Sequence, residues 1–381
     1  MVYLDNAATT FPKPEVVYQA MDKMNREGAV NAGRGSYKLA RDASKLIGET
    51  KDMLRRLVHV DISAAVVFSP SVTIAMNQIV NGLQIGERAV VYVSPYEHNA
   101  VARSIHELEK KKNLIIKEIP LNSDLEIDLE KMKYEFTKDK PDAIFCTHVS
   151  NVTGYILPVK KIFEEAKKYG SITVLDAAQS MGLVQIRADL MQVDLIAFAG
   201  HKTLYGPLGI GGFINVSGVP LDIFISGGTG SDSLNLEMPS GKETRYESAS
   251  CNIVAVAGLN AALKVIDPDV GMKHEKKLGN YLIEKLSEIK TVKMYIPKDR
   301  QAHVGIVSFV VDGYTSEDVG MILDEDFDIA VRTGYHCAPF IHKYLKDENT
   351  LGTVRVGLGQ YTTRKEVDKL FNAVINILGE D

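Results

Sequence analysis

Six short apolar runs punctuate the first two-thirds of the chain. They are AAVVFS (64–69), RAVVYVS (88–94), NLIIKEI (113–119), DAIFCTHV (142–149), ITVLDA (172–177) and LIAFAG (195–200). Rich in Val and Ile and about the length of strands, they predict buried β-structure. Between them, TIAMNQIVNGL (73–83) and VKKIFEEAKKYG (159–170) place apolar residues three and four apart and close on or just before glycine, which predicts helices. The earlier stretch YKLARDASKLIGETKDMLRRLV (37–58) has the same spacing. Near-continuous apolar strands alternating with helices predict an α/β protein with a mostly parallel sheet covered on both faces.

Near residue 262 the pattern changes. Helices over NIVAVAGLNAALKVI (252–266) and roughly 270–289 precede strand candidates VKMYI, VGIVSFVV and GTVRVGL, and TRKEVDKLFNAVINIL (363–378) predicts the last helix. This reads as a smaller α+β unit joined to the larger one by a helix. The glycine-rich segment ISGGTGSDSLNLEMPSGKETRYESAS (225–250) has no clear period and predicts a long functional loop.

Composition narrows the classes. With 381 residues the chain can bury a substantial core, and 45% hydrophobic with 24% charged residues is ordinary for a globular protein. A net charge of -5 disfavours a large nucleic-acid footprint. No apolar stretch approaches the ~20 residues of a membrane span. The opening MVYLDNAATTFPKP lacks a basic region followed by an apolar run, so no signal peptide is expected. Cys146, Cys251 and Cys337 are odd in number and far apart, forming neither a disulfide framework nor a CxxC metal site. A reducing, cytoplasmic setting and no metal are expected.

Two residues at the ends of apolar runs suggest chemistry. Asp176 follows ITVL, where open α/β sheets bind ligands outside the carboxyl ends of their strands. Alone it could equally be a cap or half of an ion pair. Lys202 follows LIAFAGH, where desolvation would lower its ammonium pKa and free the amine for a Schiff base. Alone it could be a snorkelling surface lysine. One cofactor uses the pair: pyridoxal 5'-phosphate (PLP) needs an amine for its aldehyde and a carboxylate beside its pyridinium nitrogen. VFSPSVTIAMN (67–77) reads strand, turn, helix, and the amides of Val72 and Thr73 would offer a helix N-terminus to a phosphate, though Ser and Thr cap helices everywhere.

The chain resembles the class V, fold-type I PLP-dependent enzymes, and within them the cysteine desulfurase/selenocysteine lyase group. The resemblance runs nearly end to end, through YLDNAATTFPKP, NAGRGSYKLA (31–40), SPYEHNAVA (94–102), HVSNVTGYILPV (148–159), LDAAQSMG (175–182), AGHKTLYGPLGIG (199–211), ESASCN (247–252), RTGYHCAP (332–339) and GTVRVGLGQYTT (352–363). It implies a large PLP-binding domain over 16–262, with a mostly parallel seven-stranded sheet in an αβα sandwich. A small α+β domain would comprise 1–15 and 263–381. It also implies roles: Lys202 tethering the cofactor, Asp176 on the pyridinium nitrogen, Gln179 on the ring hydroxyl, and His98 stacked on the ring and relaying protons. Val72, Thr73 and His201 would hold the phosphate. Ser250 would reach the phosphate of a partner subunit's cofactor, which implies a homodimer with sites at the interface. Asn151 and Arg355 would hold the substrate carboxylate, for which a guanidinium fork is suited, and Asn6, Ala7 and Ala8 would line the substrate pocket.

Cys337 lies in a glycine-containing turn with His336 adjacent and Arg332 close, and cationic neighbours favour a thiolate. By the resemblance, that thiolate would take sulfur from L-cysteine, leaving alanine and a persulfide for a protein acceptor serving iron–sulfur clusters or other thio-cofactors. Its short segment is similar to the SufS-like (group II) branch. Cys146 reads as a buried hydrophobe. Four positions depart from the pattern. Ala199 stands where Ser or Thr is usual, Ser71 where Gly or Asn is frequent, Ser250 where Thr is found, and Thr362 where Tyr-Asn-Thr is usual. Loss of one hydrogen bond at Ala199 would cost about 0.5–1.5 kcal/mol of cofactor binding. A selenocysteine lyase, another class V aminotransferase or C–S lyase, a non-catalytic PLP-fold scaffold and a cysteine hydrolase based on His336 are the competing readings.

Overall fold

The computed structural model describes residues 1–33, 35–230 and 233–379. Arg34 of the NAGRGSYKLA motif and residues 231 and 232 of the glycine-rich segment lie outside the described residues. All six apolar runs form strands of one seven-stranded sheet. Its spatial order is Ala65–Ser69, Gly211–Asn215, Leu195–Ala199, Ile172–Asp176, Ala143–Thr147, Val90–Val93 and Ile115–Glu118. Only Gly211–Asn215 runs against its neighbours; the other pairings within the sheet are parallel. The run-like character of the strands follows from burial on both faces: Ala65–Ser69, Ala143–Thr147 and Leu195–Ala199 are buried at every position.

The helices predicted at 73–83, 159–170 and 37–58 appear as Val72–Gly82, Val159–Lys167 and Lys38–Leu57. Two apolar clusters sandwich the sheet, one containing Phe68, Ile144, Leu175, Ile196 and Phe198, the other Val67, Phe145, Val174, Leu195 and Ala197. Neighbouring residues along each strand fall in opposite clusters, as alternation across a strand requires.

A second sheet is antiparallel, in the order Arg332–Gly334, Thr353–Gly357, Ile306–Val311, Val292–Tyr295, and a third cluster, with Leu282, Phe309, Val356 and Leu370, packs under it. The N-terminal strand Val2–Tyr3 pairs in parallel with Ile329–Ala330, and the Asn6 backbone amide donates to the Gly357 carbonyl at 3.1 Å. The first residues of the chain are thereby held against its last third. Among the described residues, no helix is long and apolar enough to cross a membrane.

Candidate active site

The strand Ile172–Asp176 ends on its carboxylate, so Asp176 sits where the parallel sheet opens at its carboxyl edge. It is buried, its Oδ1 accepts the Ala178 amide at 2.9 Å, and desolvation raises its carboxyl while Lys202 pulls it back down. Lys202 follows the next strand, Leu195–Ala199, by three residues. Desolvation lowers its ammonium to about 8, opposed by Asp176 and assisted by Arg355 and Arg332. The carboxylate–amine pair expected from the two strand ends is therefore assembled, and Lys202 also feels the charge of Cys337.

Around this pair the chain offers donors and an anion-binding helix end. Val72–Gly82 starts behind Ser71, whose hydroxyl accepts the Ile74 amide, leaving the Val72 and Thr73 amides for another acceptor. His201 is lowered to about 4 by burial, and its buried Nδ1 has no partner. Gln179 is buried and donates Nε2–H to the Ala7 carbonyl at 2.7 Å. His98 caps the helix Asn99–Lys112, its Nδ1 accepting the Ala100 amide at 3.0 Å, so its ring hydrogen is on Nε2. Burial and then Lys202 push it down to about 3, keeping the ring neutral. Orphaned His201 Nδ1, the open helix terminus and the Lys202–Asp176 pair fit an aldehyde-bearing, phosphorylated pyridinium.

Arg355 lies in the middle of Thr353–Gly357 and is 1% exposed. Nη2 donates to Asp5 Oδ1 at 2.7 Å and Nη1 to the Asn151 carbonyl at 2.9 Å, while its buried Nε is unpartnered. Asn6 spends its amide on the chain itself, donating to Gly357 and accepting from Phe11. Ala8 donates its amide to the Asp5 carbonyl at 3.0 Å. Ser250 is exposed on the loop, and its hydroxyl accepts from Asn31 at 3.0 Å rather than from the residues around Lys202.

Cys337 is mounted on a tight turn. The Ala338 amide donates to the Tyr335 carbonyl at 3.0 Å, and the two central residues, His336 and Cys337, both have positive φ, 47° and 57°. Such turns normally use Gly, Asn or Asp, and each ordinary side chain there costs about 1–3 kcal/mol. Arg332 reaches across to place Nη2 3.0 Å from the Cys337 Sγ. Of the two neighbours singled out from the sequence, Arg332 lies against the sulfur and His336 offers it no charge. That ring is buried, turns away to Thr353 Oγ1 at 2.8 Å, and is held well below its ordinary pKa by desolvation and by Arg355. It is a neutral structural group, unsuited to the hydrolase base considered from sequence.

Several residues here were not singled out from sequence. Glu97, immediately before His98, is buried, accepts from Ser94 and the Thr147 amide, and is pushed up to about 8 by desolvation and Asp176. Asp5, in the opening motif, pairs with Arg355 across 350 positions. His342 and Asp347, just beyond the cysteine turn, form a buried pair at 2.7 Å.

The class-V aminotransferase family model matches residues 2–370. The protein called "Probable cysteine desulfurase" in Halalkalibacterium halodurans is 31% identical over 97% of this chain and 91% of its own length. Its namesake in Pyrococcus abyssi is 32% identical over 97% of this chain and 92% of its own. The solved apo structure of cysteine desulfurase from Thermococcus onnurineus superposes with a TM-score of 0.91 at 29% identity, covering 99% of this chain and 94% of that one. Fold, strand-end lysine and carboxylate, and these relatives agree: the chain belongs to the class-V aminotransferase family.

Proposed function

We propose that this protein is a PLP-dependent cysteine desulfurase that converts L-cysteine to L-alanine and leaves the sulfur as a persulfide on Cys337. The observation that carries the reading is the convergence on one site of the Lys202–Asp176 pair and a thiol held 3.0 Å from a guanidinium. Neither an aminotransferase nor a simple lyase needs that thiol, and a non-catalytic scaffold needs none of the three. The relatives at about 30% identity carry the desulfurase name, which supports cysteine over selenocysteine as substrate.

In this reading Lys202 would tether PLP, and Asp176 would keep its ring nitrogen protonated. Val72, Thr73 and His201 would hold the phosphate, and Gln179 and His98 would contact the ring. The cofactor supplies an electron sink for bonds at the substrate Cα and Cβ. Arg355, with its unspent Nε–H and Asn151 alongside, grips the substrate carboxylate. Lys202, lowered to about 8, moves a proton at Cα. The Cys337 thiolate attacks the substrate sulfur. The new S–S bond forms as Cβ–S breaks, the bonding pair stays with Cβ, and a proton there completes the methyl group of alanine. A cysteine-bearing protein acceptor then collects the terminal sulfur for clusters or thio-cofactors.

Ser250 is read as serving the partner subunit's site in a homodimer, which its exposure and its hydrogen bond to Asn31 rather than to the residues around Lys202 support. Residues 16–262 are read as the large domain, and 1–15 with 263–381 as the small one. The pairing of Val2–Tyr3 with Ile329–Ala330 supports grouping the two chain ends.

The test is a visible spectrum of the purified protein before and after L-cysteine, with sulfide and alanine quantified. Equimolar alanine and sulfur with a Cys337→Ala variant that makes neither is the expected result. Undiminished desulfuration of free cysteine by Cys337→Ala would overturn the thiolate assignment. Strong preference for selenocysteine would overturn the substrate.

A further inference from the structure

The strained turn that carries Cys337 is held at three successive carbonyls by donors from three other places in the fold. The Asn99 amide, at the head of Asn99–Lys112, donates to the Cys337 carbonyl at 2.7 Å. The Asn151 Nδ2 donates to the His336 carbonyl at 2.7 Å. His342 donates Nε2–H to the Tyr335 carbonyl at 2.9 Å, the same carbonyl that closes the turn by accepting from Ala338. Asn99 adjoins His98, and Asn151 supports Arg355 through its carbonyl. His342 has no place in the site described so far.

Its ring is unusual in its partners. Nε2 lies 2.9 Å from a backbone carbonyl, which only accepts, so Nε2 carries a hydrogen, and Nδ1 shares a hydrogen with Asp347 Oδ2 at 2.7 Å. Both ring nitrogens are therefore committed, one to the carboxyl group and one to the turn. Both side chains are buried, at 7% and 0% exposure, and Asp347 holds the ring through Oδ2 while its Oδ1 has no partner. Such a pair is costly to build into a six-residue stretch merely to finish a short helix, His342–Leu345. What it touches is the turn: the ring packs edge-on against Tyr335, with centroids 4.9 Å apart, and grips that residue's carbonyl.

We propose that His342, oriented by Asp347, is a positioning residue for the sulfur-accepting thiol. By fixing the Tyr335 carbonyl it holds His336 and Cys337 in the left-handed conformation that sets the sulfur against Arg332, and so acts on the sulfur through the turn. The inference rests on the reading of Cys337 as the sulfur acceptor.

Two amide variants of the full-length holoenzyme separate positioning from bulk stability. His342→Gln keeps an N–H near the Nε2 position, within reach of the Tyr335 carbonyl. His342→Asn keeps an amide only near Nδ1, facing Asp347. The readouts are kcat and KM for L-cysteine, the visible spectrum of the bound cofactor, and mass spectrometry of the persulfide formed on Cys337. Expected is a His342→Gln enzyme within about threefold of the parent. His342→Asn should lose about 10- to 100-fold in kcat and in the rate of persulfide formation, the scale of a small misplacement of a reacting group. KM and spectrum should be unchanged in both. Equal kcat in the two variants, whether both fast or both slow, would overturn the proposal, and so would an effect confined to KM or to cofactor binding. Cys337→Ala is measured alongside: if it still forms alanine at the parent rate the thiol reading itself fails, whereas its inactivity with equal His342 variants sinks only the positioning role.

Discussion

At the scale of single residues the site separates two tasks by which cations are spent on what. Arg332 and Arg355 are Cα partners on neighbouring antiparallel strands, so two guanidiniums sit side by side. Like charges directly opposite are destabilising unless each has its own counter-group. Asp5 neutralises Arg355, and the Cys337 sulfur answers Arg332. Removing one partner should therefore act on one task. Arg332→Gln removes the permanent charge beside the sulfur, and alkylation of Cys337 by iodoacetamide at neutral pH is expected to slow about tenfold. An unchanged alkylation rate would show that Arg332 leaves the sulfur's reactivity alone. Arg355→Lys keeps a charge for Asp5 but loses the planar fork and the Nε–H. KM for L-cysteine is expected to rise about 10- to 100-fold, as loss of a charged hydrogen bond of roughly 1.5–3 kcal/mol implies, with a smaller change in kcat. Steady-state kinetics decide it, and an unaltered KM would remove Arg355 from carboxylate binding.

At the scale of elements, the outer strand Ala65–Ser69 shows how the fold finishes a sheet without another strand. Its free edge amides, Val66 and Phe68, donate to Glu243 Oε1 at 2.9 Å and Glu247 Oε1 at 2.7 Å. Those carboxylates are in turn held by the buried Lys51 at 2.7 and 2.8 Å, with Arg55 joining Glu243. The glycine-rich segment thus blunts a strand edge that would otherwise be open to pairing. Glu247→Ala leaves the Phe68 amide and part of the Lys51 charge unpaired, so a loss of about 3 kcal/mol is expected in urea denaturation. Glu247→Gln, which keeps an acceptor, should lose less. This support was illegible in the sequence because it joins Lys51, Phe68 and Glu247 across distant parts of the chain. The six apolar strands were legible because burial on both faces writes itself as an unbroken run. The seventh strand, GGFIN, was not: a Cβ on Gly212 would lie 2.1 Å from the Val67 carbonyl, so close strand packing demands a residue of low β-propensity. Helix Glu15–Glu27 carries an apolar stripe at Val17, Ala20, Met21 and Met24 whose spacing was legible, although only Val17 is fully buried. The same contrast runs through the site. Asp176, Lys202 and Cys337 stand out by their immediate neighbours. Asp5, Glu97, His342 and Asp347 acquire their chemistry only from burial and from partners that the fold brings in.

At the scale of the whole molecule, the buried titratable groups fall into two opposed sets. Desolvation pulls His148, His201 and His303 down to about 4 and His98 to about 3, from an ordinary 6.5. Glu97 and Glu275 are pushed up to about 8 from 4.5, again chiefly by desolvation. Between about 4 and 6.5 the unfolded chain protonates those histidines and the folded one does not. The unfolded state then binds more protons, and stability rises with pH. Between 4.5 and about 8 the two carboxyls are protonated when folded and ionised when unfolded, so they make stability fall as pH rises. Below 6.5 these four histidines, joined by His336, which desolvation lowers in the same way, outweigh the two carboxyls and the net slope is upward. Above 6.5 the histidine contribution is complete and the carboxyls reverse the slope, until near pH 8 Lys13 and Lys202, each lowered by desolvation to about 8, begin to oppose them. The cofactor-free protein is therefore expected to melt highest near pH 6.5, with Tm lower by about 2–4 °C at both pH 5 and pH 8. Differential scanning calorimetry across that range decides it. Glu275→Gln, which removes one of the two opposing carboxyls, should flatten the decline between pH 6.5 and 8 while leaving the acid limb in place. A Tm that climbs without a break to pH 8 in the parent protein would mean that Glu97 and Glu275 are ionised in the fold, with cations to accept their charge.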